Sequence, residues 1–231
     1  MKMLWTDIRF QYKHGFYFAY LFMVLVYVLL LAFLPNSYQQ ELTVLIVFTD
    51  PSVLGCFFIG GIILLEKSQK VYGPLFITGL SIGSFLISKI LSLALISVLS
   101  SLAIMLFVHQ LTFHIFPFVV GVVLSSIVFT LLGLLLAVRV RTVNQFLFSS
   151  PLLITVFFLP VVSIFVSWDS FLLKVLPSYG GIVLIQGAFQ TLSWQDWLYS
   201  ISILSIWSVG LFYLATYSFK VHVLHKGEGV T

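Results

Sequence analysis

PFVVGVVLSSIVFTLLGLLLAV, residues 117–138, runs for 22 positions without an ionisable side chain and ends on Arg139 and Arg141. A helix of that length covers about 33 Å at ~1.5 Å per residue, which matches a bilayer's hydrocarbon core of about 30 Å. The stretch reads as a membrane-crossing helix, and the two arginines mark the end that stays on the cytoplasmic side.

Other stretches repeat the pattern. Apolar runs occupy residues 16–34, 42–65, 85–109 and 149–166, and a last one ends at Phe219. The chain of 231 residues is 61% hydrophobic and only 8% charged, too apolar for a soluble domain to hide. The expected fold class is therefore an all-α integral membrane protein with six transmembrane helices, built as one domain over residues 1–231. Residues 1–15 precede the first span. There Trp5, Ile8, Tyr12 and Phe16 recur at helical spacing between Asp7, Arg9, Gln11 and Lys13, which predicts an amphipathic interfacial helix. Residues 168–197 hold two apolar pieces, each too short to cross, broken by Pro177 and Gly180-Gly181. They predict a re-entrant hairpin on the outer side before the last span.

The basic residues set the orientation. With the N-terminus inside, Lys2, Arg9, Lys13, Lys67, Lys70, Lys89, Arg139, Arg141, Lys220 and Lys226 fall at the cytoplasmic side, and Lys174 alone falls outside. That asymmetry places both termini in the cytoplasm and argues against nucleic acid as a partner, since the cations decorate helix ends rather than a water-exposed face.

Little in the chain carries covalent chemistry. Gly79-Leu80-Ser81-Ile82-Gly83 spells a hydrolase G-x-S-x-G, but its flanks are membrane helix rather than strand, and no acid–His pair accompanies it. His109 with His114, and His222 with His225, lack the cysteine or carboxylate company of a metal site. Cys56, the single cysteine, lies in an apolar run and reads as packing. No G-x-x-x-x-G-K-[ST] loop is present, so no nucleotide cofactor is expected on this chain. Asp50, inside the 42–65 run and just before Pro51, admits two readings. It caps a helix that begins at Pro51, the upstream piece dipping separately into the outer leaflet, or it contacts a substrate or ion on the pathway.

Residues 66–84 hold the most information. Glu66 and Lys67 begin a charged cluster, Gly73-Pro74 starts a new helix, and Leu75, Phe76 and Leu80 give it apolar contact points before Lys89. A short helix of this kind suits a groove on a cytoplasmic partner.

The arrangement resembles the permeases of type-2 ATP-binding-cassette exporters. Glu66-Lys67 stands for their acidic-basic pair, Leu75-Phe76 for a leucine pair, Thr78, Leu80 and Ser81 for a Thr-x-Leu-Ser frame, and Lys89 for a lysine eight residues on. Lys70-Val71, Ser68 and Gly79 depart from the pattern. Residues 11–17, QYKHGFY, and Asp50-Pro51-Ser52 with Leu54-Gly55 resemble the drug (fluoroquinolone-type) export subgroup. The resemblance implies a bacterial plasma-membrane subunit that works by alternating access. It implies a cytoplasmic ATPase partner that carries ATP and magnesium, docked on the coupling segment, and a second permease, identical or paralogous. The 24 phenylalanines suit a hydrophobic or amphiphilic substrate, with membrane lipid as the other contact. Export of lipid or polysaccharide, and a non-transporting immunity or structural role, are the alternatives. An embedded enzyme fits poorly without an acid–His or metal cluster.

The orientation is tested by cysteine accessibility. Lys70→Cys and Arg141→Cys, each in a Cys56→Ser background, should resist an impermeant thiol reagent in intact cells and react after lysis. Labelling of either from outside defeats the assignment.

Overall fold

The computed structural model describes residues 2–50, 52–69, 71–72, 76, 79–110, 112–166 and 170–224. Ten α-helices account for most of these, and no strand occurs among them. Helix α1 (Lys2–Lys13) leads into α2 (Phe16–Ala32) through Gly15, whose φ of 77° lies where side chains are disfavoured. The two helices meet at 63°. Helices α3 (Asn36–Thr49) and α4 (Leu54–Ser68) follow, then α5 (Ile82–His109) and α6 (Ile115–Arg139). Helix α7 (Val143–Phe158) tightens into a 3-10 turn, Leu159–Ile164. The short α8 (Phe171–Val175) and α9 (Pro177–Gln186) precede α10 (Trp194–Phe219), which ends in a π turn, Lys220–Leu224.

Five stretches are long and apolar enough to cross a membrane: Tyr38–Ser68, Ile82–His109, Ile115–Arg139, Val143–Ile164 and Trp194–Val223. Helix α2, of 17 residues, makes the sixth when joined to the bent α1. The all-α membrane fold is thus present. In the second span α3 ends at Thr49 and α4 starts at Leu54 as a separate helix, within a stretch, Tyr38–Ser68, that is long and apolar enough to cross as one.

Two helix starts also lie off the expected positions, for a local reason. Helix α7 begins six positions before residue 149, because the Thr142 side chain caps it by accepting from the Gln145 amide at 3.2 Å. The Gln145 side chain in turn accepts from the Arg141 amide at 3.2 Å, and this reciprocal pairing outweighs the polar residues 144–145. Ser193 caps α10 by accepting from the Asp196 amide, so the hairpin closes at Gln186 and the last span opens at Trp194. Within the hairpin, Trp207 of α10 donates to the Val175 carbonyl at 3.0 Å, and its ring meets that of Phe157 at 5.6 Å. Trp207 lies about 20 Å along α10 from its start, so the turn at Val175 packs well along that helix. Trp168 lies outside the described residues.

Helix α6 is the axis of the bundle, packed against α4, α5, α9 and α10. Its approach to α4 is close enough that a Cβ on Gly133 would meet the Cys56 carbonyl oxygen at 2.3 Å and its Cα at 2.7 Å. Small residues at such a crossing let backbones touch, which is how membrane helices gain packing where lipid tails are as apolar as leucine. Buried serines join the same seams: the Ser97 and Ser126 hydroxyls are 3.1 Å apart between α5 and α6, and Ser97 also donates to the Leu93 carbonyl.

The Gly133 contact generates a stability prediction with an internal reporter, since the Cys56 thiol is buried and reacts with a thiol dye only on unfolding. Gly133→Ala should destabilise the protein by about 1–3 kcal/mol through overpacking. Gly210→Ala, where a Cβ meets nothing, should be neutral or slightly stabilising. Equal melting of the two variants contradicts the close crossing.

Candidate functional site

Both ion pairs found among the described residues meet at a buried point built from three helices that sequence distance keeps far apart. Lys89, on the third turn of α5, is 2% exposed and donates to Glu66 Oε1 at 2.6 Å and Asp7 Oδ1 at 3.2 Å. Glu66 stands on the last turn of α4, and Asp7 on α1. Ser88 Oγ donates to the other Asp7 oxygen. Tyr72 donates to Glu66 Oε2 at 3.2 Å and lies 3.1 Å from the Ile63 carbonyl. Burial, then the neighbouring carboxylate, pushes the Tyr72 phenol far above its ordinary range, so it stays a donor. The ammonium also sits 4.8 Å from the Phe85 ring centroid. Two carboxylates facing one ammonium leave an excess of negative charge, moderated by the Ser88 and Tyr72 hydroxyls.

This geometry sets which face of the amphipathic α1 meets the protein. Trp5 and Tyr12 are 70% and 75% exposed, whereas Asp7 and Gln11 are buried against α5. Gln11 Nε2 donates to Ser92 Oγ at 2.7 Å. The cause is a polar stripe on α5: Ser88 and Ser92 share one face at i, i+4 and match Asp7 and Gln11 at the same interval. That pairing of intervals is the available signal for Asp7, which the reading of the sequence did not single out as a site residue. The aromatic side of α1 faces outward, where an interfacial helix meets lipid.

Around the triad lie the remaining segment residues. Lys67 donates to the Val138 and Val140 carbonyls at 3.3 and 3.1 Å, so a cation covers the C-terminal end of α6. Phe76 packs into an aromatic cluster, its ring 6.4 Å from Tyr72 and 5.8 Å from both Phe85 and Phe219. Leu80 packs against the core, and Ser81 caps α5 by accepting from the Ser84 amide. Leu75 and Thr78, with Gly73 and Pro74, lie outside the described residues.

Asp50 is elsewhere and does not cap α4. The N-cap position is Val53, with no side-chain hydrogen bond, and Asp50 contributes only its carbonyl, which accepts from the Val53 and Leu54 amides at 3.1 and 2.8 Å. Asp50 itself is half-buried. Among the described residues no group of three or more His, Cys, Asp or Glu side chains could hold a metal.

Removing one member of a buried ion cluster costs more than removing all of it. Lys89→Met should destabilise by about 3–5 kcal/mol, because two buried carboxylates lose their counter-ion. Adding Asp7→Asn and Glu66→Gln to Lys89→Met should recover most of the loss in thermal melts. An additive further loss in the triple variant contradicts a coupled triad.

With these positions in place, comparison with known proteins is informative. Over 192 residues the chain is 25% identical to the fluoroquinolones export permease proteins of Mycobacterium tuberculosis strains CDC 1551 / Oshkosh and ATCC 25618 / H37Rv, covering 83% of this chain and 81% of each relative. The sequence model of the Fluoroquinolones export permease protein family matches residues 1–227. Matched over nearly its whole length, the protein belongs to the fluoroquinolones export permease family, a multi-pass membrane subunit of drug export.

Proposed function

We propose that the chain is the membrane-spanning subunit of an ATP-driven exporter, with its N-terminus, C-terminus and triad end at the cytoplasmic side of a bacterial plasma membrane. A separate ATPase subunit binds ATP and magnesium and docks on residues 66–84, and a second permease, identical or paralogous, completes the pathway. The exported compound is hydrophobic or amphiphilic and drug-like, in keeping with the fluoroquinolone export named for its relatives. The observation that carries this reading is the Lys89 triad with its aromatic neighbours. It fastens the segment between α4 and α5 to α1, α5 and α10 at one end of the bundle.

That fastening suits transmission of force. A docked ATPase pair that closes on ATP must prefer one arrangement of the spans over another, since a ligand shifts an equilibrium only by its differential affinity for the two states. The segment must therefore move the spans as a unit rather than flex on its own. Tyr72 and Phe76 couple it to Phe85 at the start of α5 and Phe219 at the end of α10, while Glu66 and Lys89 couple α4 to α5. Alternating access then follows as a rearrangement of packed helices around a central pathway between two permeases. Glu66, Lys67, Phe76, Leu80 and Ser81 shape the segment from within, and the resemblance to type-2 exporter permeases assigns Leu75 and Thr78 to coupling with the ATPase.

Phe76→Ala removes the link to Phe85 and Phe219. In proteoliposomes containing permease and ATPase it should leave most ATP hydrolysis intact while lowering transport per ATP at least several-fold. Leu75→Ala should instead weaken ATPase copurification, and Leu172→Ala with Leu173→Ala in the outer hairpin should change neither. Full transport and full ATPase retention in a Leu75→Ala, Phe76→Ala protein would remove the coupling assignment.

A further inference from the structure

A groove of about 530 Å³ opens between α1, the start of α2, the end of α4 and the connection from α6 to α7. Its volume lies within the ~300–1,000 Å³ typical of small-molecule sites. Phe10, Phe16, Gly61 and Leu65 give it apolar surface, and two exposed donors, Arg141 and His14, line it with them. The His14 ring leans on that of Phe10, their centroids 4.1 Å apart.

The cation in this groove is uncommitted. Arg139 donates to Ser218 Oγ at 3.4 Å, and Lys67 donates to the carbonyls at the end of α6. The Arg141 guanidinium, by contrast, has no hydrogen bond or ion pair among the described residues. No Asp or Glu lines the groove, since Glu66, next to Leu65 in sequence, turns to Lys89 instead. Donors without an acid among them favour an anion.

The rest of the occupant must be apolar. On α4 the groove runs from Ser68, the last residue of the helix, back to Gly61, about 10 Å at ~1.5 Å per residue. That distance matches the boundary between headgroups and acyl chains, where an interfacial helix such as α1 beds itself. The exposed Trp5 and Tyr12 of α1 are the aromatic residues expected at that level. Gly61 leaves the wall open there, because a Cβ on it would meet nothing within 4 Å, whereas one on Gly60 would strike the Phe146 ring.

We infer that this groove holds one anionic phospholipid, its phosphate on Arg141 and His14 and an acyl chain along Phe16, Gly61 and Leu65. Basic pockets between membrane helices bind anionic headgroups in this way. The lipid site is independent of which compound is exported. Its placement in the cytoplasmic leaflet rests on the proposed orientation.

Native mass spectrometry of the full chain in detergent, titrated with dioctanoyl phosphatidylglycerol or dioctanoyl phosphatidylcholine, tests the site. Wild type should retain the first at least about fivefold more tightly, the scale of one basic residue beside an anionic lipid. Arg141→Gln should remove most of that preference. Gly61→Leu should weaken both lipids at least several-fold without a change of charge, and Gly210→Leu, also at an open position, should weaken neither. Melting temperatures equal to wild type verify the folds; if Gly61→Leu does not fold, Arg141→Gln, at an exposed position, decides alone. Equal retention of the two lipids by wild type overturns the site, as does an unchanged preference in Arg141→Gln. Displacement by glycerol 3-phosphate as effective as by excess dioctanoyl phosphatidylglycerol would leave an anion contact without a lipid groove, and overturns it too. In the assembled permease–ATPase complex the lipid should remain. If the ATPase or a second permease expels it, the groove is a protein interface and the proposal falls.

Discussion

An ammonium group taken out of water must find carboxylate company, and at Lys89 that need is met only by drawing three helices to one point. Asp7 arrives on α1, Glu66 on α4, and Lys89 itself on α5. Because the members lie 82 and 23 positions from Lys89, the pairing fixes long-range geometry that apolar contacts alone would leave loose. Buried ion clusters add little net stability over an apolar replacement, and their established use is to specify one arrangement among several. In lipid, where any leucine face packs on any other, that specificity matters more. Here it selects the rotation of α1 and the position of the α4–α5 connection.

The spans were legible from composition because length and apolarity are what a bilayer demands, and residues 117–138 satisfy both without help from neighbours. Glu66 and Lys89 were visible by resemblance, and the structure adds that the two meet. What the sequence left open was which side of α1 meets the protein. Periodicity reports which residues are apolar, yet at a membrane interface the apolar face turns outward to lipid and the polar one inward. Apolar spacing alone therefore did not single out Asp7 and Gln11 as the residues that meet α5. Asp50 failed for a different reason: the Asp-Pro pair is a common helix opening, but α4 starts three residues later, at a turn made by backbone groups.

The interior joins its helices with small polar groups rather than large ones. Ser88, Ser92, Ser97, Ser100 and Ser101 line α5, and most return a hydrogen bond to a carbonyl one turn back or meet a neighbour's hydroxyl. Such bonds hold helices at short range while leaving the backbone ladder intact. The outward faces differ. On α7, Leu147, Phe148, Leu152 and Val156 are exposed, as are Ile206, Val209, Tyr213 and Tyr217 on α10. Such apolar outward faces suit a lipid surrounding.

The wide separation of Asp7 from Lys89 also gives the protein a schedule. At about 5–20 residues per second, a ribosome releases Asp7 several seconds before Lys89 exists. During that interval α1 has no buried partner and rests at the membrane surface with its carboxylate wetted. Lys89 then enters near the end of a nascent span, where its flexible chain can reach back toward the headgroups until both acids arrive. The triad is thus a late closure of the newborn chain. A ribosome stalled before α5 leaves a product whose first helix is made but not yet moored.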